Sequence, residues 1–462
     1  MTNRLATTLI WLAWGLAAPL TAQQDRGRPP PPQRFWDWTT LPFSATELRL
    51  RRQAMLAQLQ QSGGGVLLIP SAEGSTSGET FRQETDFLYF TGLELPRSLL
   101  VLDAAESRSI VYAPRTDVRF ENPARPHDFP GRGLQDDPEI ARRSGIEQIR
   151  PIEDLGAYLA GVVADGRTLR LNLGRSGPVP VVGTGAIQAW RPVTGLLHHV
   201  QSTYPNATVR NAFTQVARLR MIKSAAEIAL MRATAGLTAH AIMAAAAMVA
   251  AGMDERGLEA EFEASCKRGG SQRLAFSSII KSGPNSLWPW RILAAHYDRR
   301  NRVMQEGELV IFDVGCELDY YSSDVGRTFP VSGEFTDHQR DILEMSTAVS
   351  DAIIAATRPG MTLRDLQSIA ESAIPEEHRP YMQAGLFFGH HIGLSVGDPA
   401  LADVTLEPGM IFTVEPWYYN HDRQISVFVE DDVLVTPTGA EVLTASLPRA
   451  PADLERLVRT RR

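Results

Sequence analysis

Four carboxylates in the C-terminal half of the sequence sit inside or at the end of apolar runs, where a solvated acid has no reason to be. Asp313 closes Val310-Ile311-Phe312-Asp313, and Asp324 follows after the turn-prone Glu317-Leu318-Asp319. A hairpin over that turn brings the two acids together. Glu415, in Thr413-Val414-Glu415-Pro416, and Glu430, in Phe428-Val429-Glu430-Asp431, repeat the pattern. Taken singly, each acid reads as a capped turn residue. Buried together without partners, they would carry a heavy desolvation cost. His390, in Gly389-His390-His391-Ile392-Gly393, adds an imidazole between the two pairs in chain order. Four carboxylates and one histidine, with oxygen donors in excess, suit two closely spaced divalent ions better than a tetrahedral structural zinc. Mn²⁺ comes first, with Zn²⁺ or Co²⁺ as alternatives.

The elements that would position these groups show an internal echo. Ser224-Ala225-Ala226-Glu227 has capping-box spacing and opens a long Ala-rich helix running toward Gly252; Thr336-Asp337-His338-Gln339 opens another that ends near Gly360. Gly-Met and a second amphipathic helix follow in both cases. Two strand entries, 305–313 and 406–413, also correspond. The pattern predicts a two-fold duplication whose equivalent strands carry carboxylates to a shared centre. Upstream, a helix over 46–61, short strands at 65–70, 87–90, 98–103 and 168–173, and helices at 138–144 and 152–163 predict a separate α/β domain. The expected division is a leader at 1–22, a Pro-rich linker at 23–40, a first domain at 41–210 and a second at 211–458.

Composition sets the boundaries of function. The 462 residues carry 46 Lys+Arg against 53 Asp+Glu, a net charge of −7 spread along the chain, which leaves no basic arm for nucleic acid. With 44% hydrophobic residues and two cysteines, disorder and a disulfide-stapled scaffold are excluded. The run Leu9 to Leu20 is too short to span a bilayer and is followed by Thr21-Ala22 and the polar Gln23-Gln24-Asp25, which reads as a secretory signal peptide. The expected mature protein is exported, periplasmic or secreted, with no stable membrane span. Export would permit a Cys266–Cys316 disulfide, but two cysteines at unrelated positions read first as small buried hydrophobes.

The motifs Ile311-Phe312-Asp313-Val314-Gly315-Cys316, Asp324-Val325-Gly326-Arg327-Thr328-Phe329-Pro330, His390, Glu407-Pro408-Gly409-Met410 with Thr413-Val414-Glu415-Pro416, and Val429-Glu430-Asp431-Asp432 resemble those of the pita-bread metallopeptidases. Within that group the chain is most similar to bacterial aminopeptidase P, the Xaa-Pro aminopeptidases. The segment 81–92 is similar to that family's N-terminal-domain signature. The resemblance implies an α/β N-terminal domain followed by a C-terminal pita-bread domain of duplicated α+β type. It also implies roles: Asp313 on one ion, Asp324 and Glu430 bridging both, His390 and Glu415 completing the other. Glu415 would exchange a proton with the attacking water, and His296 would stabilise the developing oxyanion or shuttle a proton. Peptides are the implied substrate, and association into homo-oligomers is compatible with the family.

Three departures stand beside the matches. The family usually has a histidine four residues before the metal-binding one, where this chain has Leu386. It has another seven residues after, here Gly397, and proline-specific members carry an arginine two residues before the last glutamate, here Phe428. Gly397, Phe428, His391 and Tyr419 are therefore candidates for an altered substrate pocket, with the insertion at 287–292 beside them. An arginine can grip a dipeptide's free carboxylate through a bidentate pair and Phe428 cannot, so an aminopeptidase on longer peptides ranks above an Xaa-Pro dipeptidase. The other reading is a degenerate member that holds metal and peptide with weak turnover.

Overall fold

The computed structural model describes residues 41–74, 81–115, 135–175, 192–288, 301–382 and 389–460. The leader, the linker, His296, Leu386 and most of the 287–292 insertion lie outside the described residues.

Helix α1 (Ala45–Gln61) starts where Ser44 Oγ accepts the Glu47 N–H at 3.1 Å. It leads to β1 (Val66–Pro70), helix α2 (Thr85–Thr91), β2 (Leu99–Asp103), β3 (Arg108–Ala113), α3 (Pro138–Ser144), β4 (Gln148–Pro151), α4 (Leu155–Ala164), β5 (Leu169–Leu171), α5 (Pro192–Thr203), β6 (Val209–Asn211) and α6 (Phe213–Met221). The six strands form one mixed sheet in the order β4-β3-β2-β1-β5-β6. Side chains alternate across it as strand geometry demands. Leu67, Ile69, Leu100, Leu102 and Val111 face α1 and α2, and Val66, Leu68, Val101, Ile110 and Tyr112 face α4 and α5. The expected strand at 87–90 is instead the core of α2, closed by Gly92 in the left-handed region at φ 69°. Four consecutive apolar residues buried on every side fit a short buried helix as well as a strand, so periodicity could not decide.

The second half opens with the capping box of Ser224 and Glu227 on α7 (Ala225–Ala246), followed by α8 (Glu255–Arg268). Next come β7 (Ile279–Ser282), β8 (Leu309–Val314), β9 (Glu317–Leu318), β10 (Tyr321–Ser322) and β11 (Val325–Pro330). The pattern then repeats: a capping box of Thr336 and Gln339 on α9 (Asp337–Ala356), then α10 (Leu363–Ala373), β12 (Ile411–Val414), β13 (Trp417–Asn420), β14 (Ile425–Phe428), β15 (Asp431–Val435), β16 (Ala440–Val442) and a closing α11 (Pro451–Arg459). Each repeat is a helix pair followed by a three-stranded antiparallel sheet, β11-β8-β7 in one and β12-β15-β16 in the other. A bridge between Gly326 and Glu430 joins them. This is the duplicated α+β architecture expected for the pita-bread fold. Among the described residues α7 alone is long and apolar enough to cross a bilayer, but its inner face, including Ala239, Ile242 and Ala245, lies in the core between the sheets and α8.

The cysteines differ from expectation. Cys266, in the last turn of α8, and Cys316, just past β8, form a disulfide with their Cα atoms 5.5 Å apart. Their proximity comes from the segment just after α8, where Leu274 bridges to Cys316 and the Ala275 N–H donates to the Gly315 carbonyl at 3.0 Å, a pairing that no spacing in the sequence reveals. The bridge spans 50 residues, a loop whose closure removes about 4 kcal/mol of denatured-state entropy in the chain-entropy picture. Cys266→Ser with Cys316→Ser is expected to lower Tm by several degrees in a thermal melt, and reductant should lower the Tm of the wild type but not of the double variant.

Candidate metal centre

The two sheets deliver their acids by the same device. Strands β8 and β11 pair in the register Val314 to Val325, so Asp313 and Asp324 lie at the open end of one ladder. Strands β12 and β15 pair Val414 with Asp431, leaving Glu415 and Glu430 at the end of the other. The tight turn at Asp319-Tyr320, both at positive φ (46° and 71°), returns the chain from β9 to β10 and makes the first pairing possible. All four acids are buried. Ligand atoms of Asp324, His390 and Glu430 lie within 4.8 Å of one another. The Asp313 carboxylate lies against Asp324, and its charge acts on both Glu415 and Glu430. The five residues singled out from the sequence thus come together, four from strand ends about a hundred residues apart and His390 from a loop.

His390 enters from the loop before β12. Its Nε2 lies 3.4 Å from Asp324 Oδ2, and its Nδ1 donates to the His391 carbonyl at 3.2 Å. A carbonyl only accepts, so Nδ1 carries the proton and the Nε2 lone pair points among the carboxylates, the orientation a metal-binding histidine needs. Gly389 makes this approach possible: its φ is +67°, and a Cβ there would lie 2.0 Å from Thr413 Oγ1 and 2.4 Å from Glu415 Oε1. Only glycine fits both the backbone and the space.

The electrostatics show what the cluster lacks. Burial, then the charge of Asp324, pushes Glu415 up to about 8, and Asp313 adds to the rise while His390 opposes it. Burial and their acidic neighbours raise Asp324 and Glu430 well above the carboxylate range. Asp324 Oδ1 and both Glu430 oxygens are buried with no hydrogen-bond donor. Orphaned oxygens converging on one point, with an imidazole lone pair aimed at it, fit divalent cations. Asp432 supports the group from behind, accepting from Ser323 Oγ at 2.7 Å and from the Asp324 N–H at 3.3 Å. In the sequence Asp432 is marked only by its place in the acidic run Glu430-Asp431-Asp432, which does not reveal this supporting role.

The candidate pocket residues fall in different places. Tyr419 is near the cluster, where burial and the charges of Asp313 and Glu415 push its hydroxyl pKa up strongly. Phe428 has no exposed surface; its ring stacks on Trp417 with centroids 3.5 Å apart, and Gly326 lets it approach. His391 is buried, its ring 6.2 Å from that of Phe412. Gly397 lies on an exposed turn with open space around its Cα. From the insertion, Trp288 is 46% exposed and its ring lies 4.8 Å from that of His421. Beside the cluster a cleft of about 470 Å³ is lined by Gly389, His390, His391, Arg175, Leu401 and Asp403, and His390 is the most exposed of the five ligand candidates, its side chain 38% accessible.

Protons and cations compete for these carboxylates. Glu415, with a folded pKa near 8 against 4.5 unfolded, binds more protons folded than unfolded between those values, so its ionisation costs stability as pH rises. The metal-stripped protein is therefore expected to lose stability from this site between about pH 5 and 8. The gain in Tm on adding Mn²⁺ should grow over the same range; a gain independent of pH would contradict the charge argument. Glu430→Gln removes one of the repelling charges and should raise the Tm of the stripped protein while abolishing the Mn²⁺-induced gain.

Comparison with known proteins agrees with this geometry. Residues 229–437 match metallopeptidase family M24, and residues 48–169 match the aminopeptidase P N-terminal domain. The Xaa-Pro aminopeptidase of Escherichia coli K12 is 29% identical, covering 90% of this chain and 98% of that one. Solved structures of aminopeptidase P from E. coli, one with the inhibitor Pro-Leu and one Zn-substituted with product, superpose with a TM-score of 0.73 at 28% identity, covering 91% of this chain and 99% of that chain. Pseudomonas aeruginosa aminopeptidase PepP superposes with a TM-score of 0.73 at 26% identity and the same coverage. The chain thus pairs an aminopeptidase P N-terminal domain with an M24 metallopeptidase domain, is similar to aminopeptidase P along most of its length, and is a metal-dependent aminopeptidase.

Proposed function

We propose that this protein uses two divalent ions, Mn²⁺ by preference, to remove the N-terminal residue from peptides of three or more residues, with a relaxed requirement for proline after the cleaved bond. The observation that carries it is the convergence of Asp313, Asp324, His390, Glu415 and Glu430, whose four carboxylates need more positive charge than one divalent ion supplies. Divalent ions held there would polarise the scissile carbonyl and make water acidic near neutral pH.

The chain's own residues supply the rest. Glu415 is held loosely by Trp417 Nε1–H at 3.4 Å and Thr413 Oγ1–H at 3.5 Å. Those long contacts leave its carboxylate free to take and return a proton. His296 is assigned the oxyanion side of the reaction. In the E. coli structure the inhibitor Pro-Leu has the form of the leaving portion of an Xaa-Pro-Leu peptide, which supports the choice of substrate. Selectivity is assigned to the departures: Phe428 is committed to the stack on Trp417 and offers no cation to a dipeptide's free carboxylate. Export is proposed as well, because the apolar leader and the Cys266–Cys316 bridge both suit an oxidising compartment.

The purified protein with Mn²⁺ is expected to release the first residue from Xaa-Pro-Xaa peptides, to act weakly on Xaa-Pro dipeptides, and to tolerate some non-proline peptides. Release from none of them under Mn²⁺, Zn²⁺ or Co²⁺ would overturn the proposal. Glu415→Ala should lower kcat at least about a hundredfold, the scale of general acid–base catalysis. His296→Ala should lower kcat with little change in metal content.

A further inference from the structure

Asp398 lies eight residues beyond His390, is buried, and is gripped by two buried cations. Arg220 Nη2 donates to its Oδ1 at 2.5 Å, and Lys223 Nζ lies 3.4 Å from its Oδ2. Arg220 stands at the end of α6, between the two halves of the molecule. Its Nη1 donates to Asp86 Oδ1 at 2.7 Å and Thr85 Oγ1 at 2.8 Å, both in α2 of the first half. Asn172 Nδ2 holds the other Asp86 oxygen at 2.6 Å. A buried arginine bridging two carboxylates fixes both in position, because its guanidinium is planar and its donors are directional.

The fixed carboxylate leads back to the metal centre. The Asp398 N–H donates to the His391 carbonyl at 2.9 Å, and that same oxygen receives His390 Nδ1–H. The loop between them is folded so tightly that a Cβ on Gly393 would lie 2.7 Å from Asp398 Oδ2. Moving Asp398 therefore moves the acceptor that orients His390. We propose that Arg220 is a positioning residue for metal binding: through Asp398 and the His391 carbonyl it holds the His390 ring, and through Asp86 the first domain sets the affinity of a site to which it contributes no ligand. This rests on His390 being a ligand.

The test is titration of metal-stripped protein with Co²⁺, following the visible absorption bands that report coordination geometry, well below the Tm of each variant. Arg220→Met is expected to weaken Co²⁺ binding about 10- to 100-fold, the usual effect of losing a group that orients a metal ligand, and to shift the bands. Asp86→Asn keeps the Arg220–Asp398 pair and should weaken binding by a smaller, measurable factor. If these ion pairs only join the domains, both variants will lower Tm and leave affinity and spectrum unchanged, which overturns the proposal. Should Arg220→Met not fold, Asp86→Asn decides on the same criterion. His390→Ala separates the two levels of argument, since full Co²⁺ affinity in that variant would remove the ligand assignment itself.

Discussion

Mutual repulsion among buried carboxylates is the constraint around which this molecule is built. Asp324 and Glu430 present oxygens within 4.8 Å, a separation at which two unit charges repel by about 3 kcal/mol even at an effective dielectric of about 20. Asp313 and Glu415 add to the same field. Left to itself the cluster keeps protons, as the raised pKa values of Asp324, Glu415 and Glu430 show. The polypeptide could have avoided that cost with apolar residues at the same strand ends. Cations bound in their midst would turn the repulsion into affinity, so that stability given up in the stripped form would reappear as grip on metal.

Holding such a group requires rigid scaffolding from several directions, and the duplicated architecture supplies it. Each repeat packs a helix pair against a three-stranded sheet and ends a central ladder on two acids. The bridge between Gly326 and Glu430 locks the sheets edge to edge, so the acids of one face those of the other. Arg327, buried within this seam, donates to Asp431 Oδ1 at 2.6 Å and to the Glu430 carbonyl at 2.6 Å. The disulfide fastens α8 to the segment just beyond Asp313. The first domain adds the Asp86–Arg220–Asp398 link on the His390 side. The candidate ligands occupy strand ends and one glycine-bounded loop because those positions are fixed by ladders and ion pairs.

Much of the centre was legible in the sequence because its signals are local. An acid at the end of Val310-Ile311-Phe312 or Thr413-Val414 violates strand patterning wherever the strand lies, and the capping boxes at Ser224 and Thr336 mark their helices without tertiary context. The features that escaped depend on partners distant in sequence. Cys266 and Cys316 carry no mark of their proximity, and the run 87–90 is buried all round in a short helix. Phe428 looked like a pocket wall from its spacing to Glu430, but its ring turns into the Trp417 stack because Gly326 leaves room there. Arg220 and Asp398 are ordinary charges until the fold buries both.

If these carboxylates hold two divalent ions, the metal content of folded protein equilibrated with Mn²⁺ at neutral pH and freed of excess ion should be two ions per chain, and Glu430→Gln treated alike should lose bound metal. A folded wild type that retains no divalent ion, or a variant that retains as much as the wild type, rules the paired-ion centre out.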